Sequence, residues 1–307
     1  MVFKTRYIDF KKPDSIILMY RNEDKTMVQI LSDSSTLYSK SQAMNIGLEI
    51  TPLVVIIGKD NYREFETIDS DTLLCKIENG AIPTSSQPPI GEKMDLYNQY
   101  GKDQDVIDIT MAAGLSGTYD SALMAKESCN YPDNISVFNS KTLCGPHRVL
   151  VNEALKMAKD GKTKEEILYM LEESAKTDVS FLIPFDFDFL QRGGRVSKTA
   201  AGLGGLLKLV VCMKKSDDGR CLEKHSVNRT LKKVVLSIFE EFDNRNVDDS
   251  YHISISHAFN EETASKVKKA LVEKYPNATI EIFDLSPVFI TQGGPKCCAI
   301  QAIKIVK

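Results

Sequence analysis

From Met27 onward, short β-branched apolar runs alternate with segments whose apolar residues recur at helical spacing. "MVQILSDSS" reads as a strand ending in Asp33, Ser34 and Ser35, and "ITPLVVIIG" as a second apolar, strand-like run. "DSDTLLCKIENG" sets Leu73, Leu74 and Ile77 at helical spacing, with Asp or Ser to start the helix and Gly80 to stop it. "DVIDITM" and "ISVFNS" continue the strands. Such alternation calls for a largely parallel sheet, because a parallel crossover needs a helix-length connection.

Between these elements, "PTSSQPP" (83–89) reads as a polar loop opening a helix whose Ile90, Met94 and Tyr97 share a face and which Gly101 ends. "RVLVNEALKMAKDG" and "TKEEILYMLEESAK" read as consecutive helices, and Thr163 with Glu166 has the capping-box spacing. From about residue 180 the strand-like segments "VSFLIPF", "GLLKLVVCM", "YHISIS", "TIEIFD" and "CAIQAIKIV" accompany the amphipathic "TLKKVVLSIFEEF". A chain of 307 residues exceeds what one compact core usually holds. The expected architecture is therefore two α/β domains meeting at a crevice. Residues 27–178 form the first, with a mostly parallel sheet, and 179–307 the second, with a mixed one. Residues 1–26, polar and charged apart from "IILMY", read as an N-terminal extension.

The charge balance, 39 basic against 42 acidic side chains, gives no positive field for holding a polyanion, which argues against nucleic acid. No apolar run approaches the ~20 residues of a membrane span, and "MVFKTRYIDFKKPD" has no segment resembling a secretion signal. A cytoplasmic protein is expected. The seven cysteines include no CxxC and read as buried reduced thiols. The vicinal Cys297-Cys298 pair has no companion at zinc spacing, and the four histidines form neither HxxxH nor HExxH, so no metal is expected. His252 and His257 bracket "HISISH" and mark a strand and its end.

Several short stretches could carry chemistry. In "GLSGTYDSALMAKE" glycines bracket Ser116, and helix is expected from about Thr118. A nucleophilic serine would need a base and the GxSxG elbow; the spacing here misses that pattern by one residue, and no histidine suggests itself as partner. Two roles stay open on the residues alone: a side-chain helix cap by Ser116 or Thr118, or an anion site at the helix start. "PTSSQPP" is either an ordinary Ser/Pro turn or a polar cluster beside a helix N-terminus. In "FLQRGGRVSKTAAGLGGLLKL" Gly193 and Gly194 permit close backbone approach. "GLGGLL" (202–207) lacks GxGxxG spacing and precedes a strand, which excludes a dinucleotide fingerprint. Arg229 in "NRTLKK" and the glycine turn of "TQGGPKC" complete the set.

In chain order, "ILSDSS", "TSSQPPIGE", "GLSGTYDSA", "FLQRGGRVS", "GLLKL", "RTLKK" and the closing "GGP" resemble the DegV family from about residue 27 to the end. The resemblance implies a non-catalytic, two-domain α/β protein without a cofactor, holding one palmitate- or oleate-like fatty acid in an apolar tunnel. It further implies a separate ATP-dependent fatty acid kinase as partner, forming an acyl-phosphate for phospholipid synthesis. By position, the carboxylate-holding hydroxyls fall on Ser85 and Ser116, with Thr84, Gly117 and Thr118 beside them. Arg195, Arg229 and Gln292 fall on the side facing the kinase or the phosphoryl group. The sequence departs from the family pattern at Ala112-Ala113, where Ser-Ser is common, at Ser85, where threonine is usual, and at Gln292, where histidine is frequent. Glutamine donates and accepts hydrogen bonds but takes no proton near neutral pH. A serine-dependent acyl hydrolase or transferase, and a binder of another apolar acid, remain the alternatives.

Overall fold

A computed structural model describes residues 28–197 and 209–306. The expected N-terminal extension (1–26) and "GLGGLL" lie outside the described residues.

The first sheet is built as the alternation requires. β1 (Gln29–Asp33) is followed by α1 (Lys40–Ile46) and β2 (Glu49–Thr51). The chain then leaves this sheet for a small hairpin, β3 (Val54–Ile57) and β4 (Asp60–Arg63), before α2 (Ser70–Glu78). The run "ITPLVVIIG" is thus two strands of two different sheets, not one. Pro52 stands between them, and its lack of an N–H breaks the ladder there. β5 (Thr84–Ser86) pairs antiparallel with β3, so the stretch expected to be a loop is an edge strand whose partner lies some thirty residues upstream.

α3 (Ile90–Tyr100), β6 (Val106–Thr110), α4 (Thr118–Ser128) and β7 (Ile135–Asn139) complete this half. The order β2-β1-β6-β7 is parallel throughout. α3 buries Tyr97, partly buries Met94 and leaves Ile90 exposed. It also buries Lys93, whose Nζ lies 2.6 Å from the equally buried Asp108. α5 (Cys144–Lys159) and α6 (Lys164–Ala175) cover the sheet through Leu150, Val151, Ile167 and Leu171. The Thr163–Glu166 capping box forms as expected.

The second sheet collects β8 (Val179–Ile183), β9 (Val210–Lys215), β10 (Leu222–Asn228), β11 (His252–His257), β12 (Thr279–Asp284) and β13 (Cys298–Ile303). Its order is β10-β9-β8-β13-β11-β12, antiparallel except between β11 and β12, and therefore mixed. α8 (Leu231–Asn244) and α9 (Glu261–Lys274) pack on one face, where Phe181, Ile300 and Ile253 meet Val234, Ile238 and Val267. Each such fully buried side chain contributes roughly 1.5–3 kcal/mol. The opposite face turns toward the first half, together with α7 (Phe187–Gly193) and α10 (Pro287–Gly293). A third apolar cluster joins the halves there: Leu53, Met111 and Leu115 from the first, Val288, Phe289 and Cys297 from the second.

Five cysteines are buried as expected, whereas Cys75 is exposed and Cys221 partly so. No helix among the described residues is long and apolar enough to cross a membrane.

Candidate functional site

A cavity opens inside the third cluster, enclosing about 980 Å³ when the open volume at its mouth is included. Its walls are mainly aliphatic and aromatic: Leu53, Met111, Leu182, Leu190, Val288 and Phe289 are among them.

The polar groups of the mouth form a ring that is hydrogen-bonded in part. Gln292 of α10 donates from Nε2 to Ser85 Oγ of β5 at 2.8 Å. Gln292 Oε1 has no hydrogen-bond partner among the described residues and lies over Gly193, so close that a Cβ there would stand 2.2 Å from it. Arg195 donates to Gly193 O and, from Nε at 3.2 Å, to Leu115 O. Leu115 adjoins Ser116, and the next residue, Gly117, packs against the side chain of Gln87, which follows Ser86. Both bonds of Arg195 go to carbonyl oxygens, and no acidic side chain among the described residues pairs with it.

Ser116 stands just before α4. Neither hydroxyl is a side-chain cap of the usual kind: Gly117 is the N-cap residue and makes no side-chain cap bond. Ser116 Oγ instead lies 2.8 Å from Thr118 Oγ1 and accepts the Thr118 N–H at 3.3 Å. The first-turn N–H groups of α4 have no intrahelical acceptor, and the helix end favours an anion. Among the described residues no histidine, carboxylate or lysine hydrogen-bonds Ser116. The fully buried His147 is committed elsewhere, with Nδ1 2.6 Å from Ser35 Oγ and Nε2 3.2 Å from Ser32 Oγ. Burial lowers its pKa.

Of the residues singled out in the sequence, Ser85, Ser116, Gly117, Arg195 and Gln292 line the cavity. Thr118 is buried behind Ser116, Thr84 is exposed on β5, and Arg229 is exposed in the turn between β10 and α8; none of these three is a lining residue. One group among the described residues, His257, Glu261 and Asp284, brings three possible metal-ligand atoms within 4.8 Å. His257 Nδ1 accepts the Asn260 N–H at 3.3 Å, and Nε2 lies 3.7 Å from Asp284.

Two further contributors act through partners that the sequence does not reveal. Gly193 matters through a contact made a hundred residues away. Glu64, directly after β4, is buried under α10; it accepts the Ser34 hydroxyl on Oε1 and the Val288 N–H on Oε2 at 3.0 Å. Burial pushes its carboxyl up to about 7, against the opposing pull of those two donors. Burial likewise pushes up the thiols of the lining residues Cys144 and Cys297, which keeps both neutral.

A model of the DegV family, described as uncharacterised proteins, matches residues 27–304. The chain belongs to the DegV family. Protein DegV of Bacillus subtilis is 32% identical over 256 residues, covering 81% of this chain and 89% of that one. The crystal structure of DegV from Bacillus subtilis, a fatty acid binding protein, superposes with a TM-score of 0.79 at 29% identity, over 91% of this chain and 99% of that one. A DegV family protein from Eubacterium eligens, loaded with heptadecanoic acid, shares the fold with a TM-score of 0.78 at 20% identity, over 90% and 99%. The α/β fold with one parallel and one mixed sheet is that of the family.

Proposed function

We propose that this DegV-family chain binds a single long-chain fatty acid and is not itself a catalyst. The observation that carries this reading is the division of the cavity into apolar walls and a mouth that holds the Ser85 and Ser116 hydroxyls, the latter just before the N-terminus of α4. Burying about fifteen methylenes at ~0.8 kcal/mol each gains on the order of 12 kcal/mol before the costs of association. A carboxylate entering without partners would cost several kcal/mol. Ser85 suits it: with its oxygen accepting from Gln292, its own O–H is left to donate outward. Ser116, Gly117 and the first turn of α4 complete the clamp, with Thr118 holding the Ser116 hydroxyl. A hydrolase mechanism would need a base at Ser116, and its bonded neighbour is a threonine.

In the same reading the acid is presented to a separate ATP-dependent fatty acid kinase, in the cytoplasm. Neutral donors leave the carboxylate more nucleophilic than a guanidinium pair would. Arg195 at the ring then serves the arriving phosphoryl group, and the exposed Arg229 serves the partner's surface. Arg195→Ala should lower acyl-phosphate formation more than it lowers lipid affinity; an equal fall in both would remove Arg195 from that role.

Native mass spectrometry of the purified protein tests the binding reading directly. The expected result is a stoichiometric added mass, released on denaturation and identified on extraction as a fatty acid. Protein that is empty and takes up neither palmitate nor oleate would overturn it.

A further inference from the structure

The cavity-facing side of the second sheet carries a polar row among apolar ones. Ser180 of β8 pairs with Gln301 of β13, and Gln301 with Ser254 of β11. The register that pairs Phe181 with Lys214 brings Lys215 of β9 level with Ser180. The four side chains therefore form one line across four adjacent strands, and they are only 5% (Ser180), 2% (Gln301), 5% (Ser254) and 6% (Lys215) exposed. The next row toward the mouth is Met213, Leu182 and Ala299.

Within the row, Lys215 Nζ lies 3.1 Å from Asp178 Oδ2, and Ser180 donates to Asp178 Oδ1 at 2.8 Å. Gln301 Nε2 donates to Ser180 Oγ at 3.0 Å and to Leu143 O at 3.1 Å. Gln301 Oε1 has no partner among the described residues, and neither has Ser254 Oγ. A buried ion pair beside an orphaned amide oxygen is a costly lining for a purely hydrocarbon ligand. Lys215, Ser180 and Gln301 all line the cavity.

We propose that this row is a second polar subsite, which takes a hydroxyl carried on the chain of the bound acid. The inference rests on the fatty-acid reading above and names the class within it: a hydroxylated long-chain acid. A hydroxyl answers the unmet Gln301 Oε1 by donating to it, and accepts one of the remaining Lys215 N–H bonds. Its place on the chain follows from the strand. Cys297 packs against Gly293, next to Gln292 of the mouth, and Gln301 lies four residues further, roughly 13 Å along extended backbone. The hydroxyl therefore belongs in the middle or distal part of the chain, not next to the carboxyl.

The test is competition binding to the full chain of stearate and of hydroxystearates whose hydroxyl steps along the chain. At least one mid-chain or distal isomer should bind about tenfold tighter than stearate. Gln301→Leu should abolish that advantage while retaining stearate. Should this variant not fold, Asp178→Asn with Lys215→Met, which replaces both members of the ion pair, should likewise narrow the preference. Stearate binding as tightly as every isomer would overturn the subsite and leave fatty-acid binding standing, as would a preference that survives the substitutions. Failure to bind stearate and all its hydroxylated forms would overturn the fatty-acid reading itself.

Discussion

Gln292 and Ser85 are joined by a 2.8 Å hydrogen bond across 207 positions of sequence, with the glutamine amide as donor. That direction matters, because it decides which way the Ser85 hydroxyl can point. An amide donor fills the serine oxygen and leaves the hydroxyl hydrogen for a ligand carboxylate. A side chain that could only accept would draw this hydrogen away from the cavity.

Gln292→Glu is the sharpest test of that arrangement. The carboxylate is nearly isosteric, but it accepts from Ser85 and adds a like charge beside the ligand head group. Fatty acid affinity should fall by about a hundredfold or more at neutral pH, recovering as pH drops and Glu is protonated. Gln292→His retains a donor and should bind nearly as well. Isothermal titration across pH would decide; a loss with no recovery in acid would point to packing instead of charge.

Ser116→Ala removes one clamp hydroxyl, and with it the acceptor of the Thr118 N–H and the partner of the Thr118 hydroxyl at the start of α4. A hydrogen bond to a charged group contributes ~1.5–3 kcal/mol, so affinity should drop about tenfold or more. The melting temperature of the empty protein should fall by only a few degrees, for the loss of the bonds to Thr118. Equal affinity of variant and parent would remove Ser116 from the clamp.

Local features were legible in the sequence and long-range ones were not. The Thr163–Glu166 capping box and strands β1, β6 and β7 are set by neighbours a few residues apart, and they formed where expected. "TSS" at 84–86 lacks the apolar alternation of a strand and becomes one because β3 offers it an edge. Nothing in the local sequence marks Lys93 and Asp108, yet the fold buries them and pairs them at 2.6 Å inside the first half. Ser85 and Ser116 were reached through family motifs. The donors and glycines that orient them belong to segments far away in the chain, and no periodicity connects those segments.

Gly193 sets two physical rules against each other. It is the last residue of α7, where alanine would favour helix by up to ~1 kcal/mol. A Cβ at this position would nevertheless meet Gln292 Oε1 at 2.2 Å. The glutamine tip is the part free to move, and moving it breaks the bond to Ser85. Gly193→Ala should therefore melt no lower than the parent while binding fatty acid roughly fivefold to tenfold more weakly. Parent-like affinity would show that Gln292 can shift without releasing Ser85.

Glu64 makes the stability of the fold depend on pH. It is 1% exposed, and burial raises its carboxyl from an ordinary value of 4.5 to about 7, while the Ser34 hydroxyl and the Val288 N–H oppose the rise. The folded state therefore holds the proton more tightly than the unfolded chain. This group's contribution is most favourable below about 4.5, declines as pH rises from there to about 7, and is constant above. The full span is on the order of 3 kcal/mol. Glutamine keeps the shape and an acceptor for the Val288 N–H but has no proton to lose. Denaturant unfolding of parent and Glu64→Gln across this window should show the variant gaining on the parent steadily as pH rises. Parallel stability curves would mean that Glu64 does not titrate there, and α10 would then be anchored independently of pH.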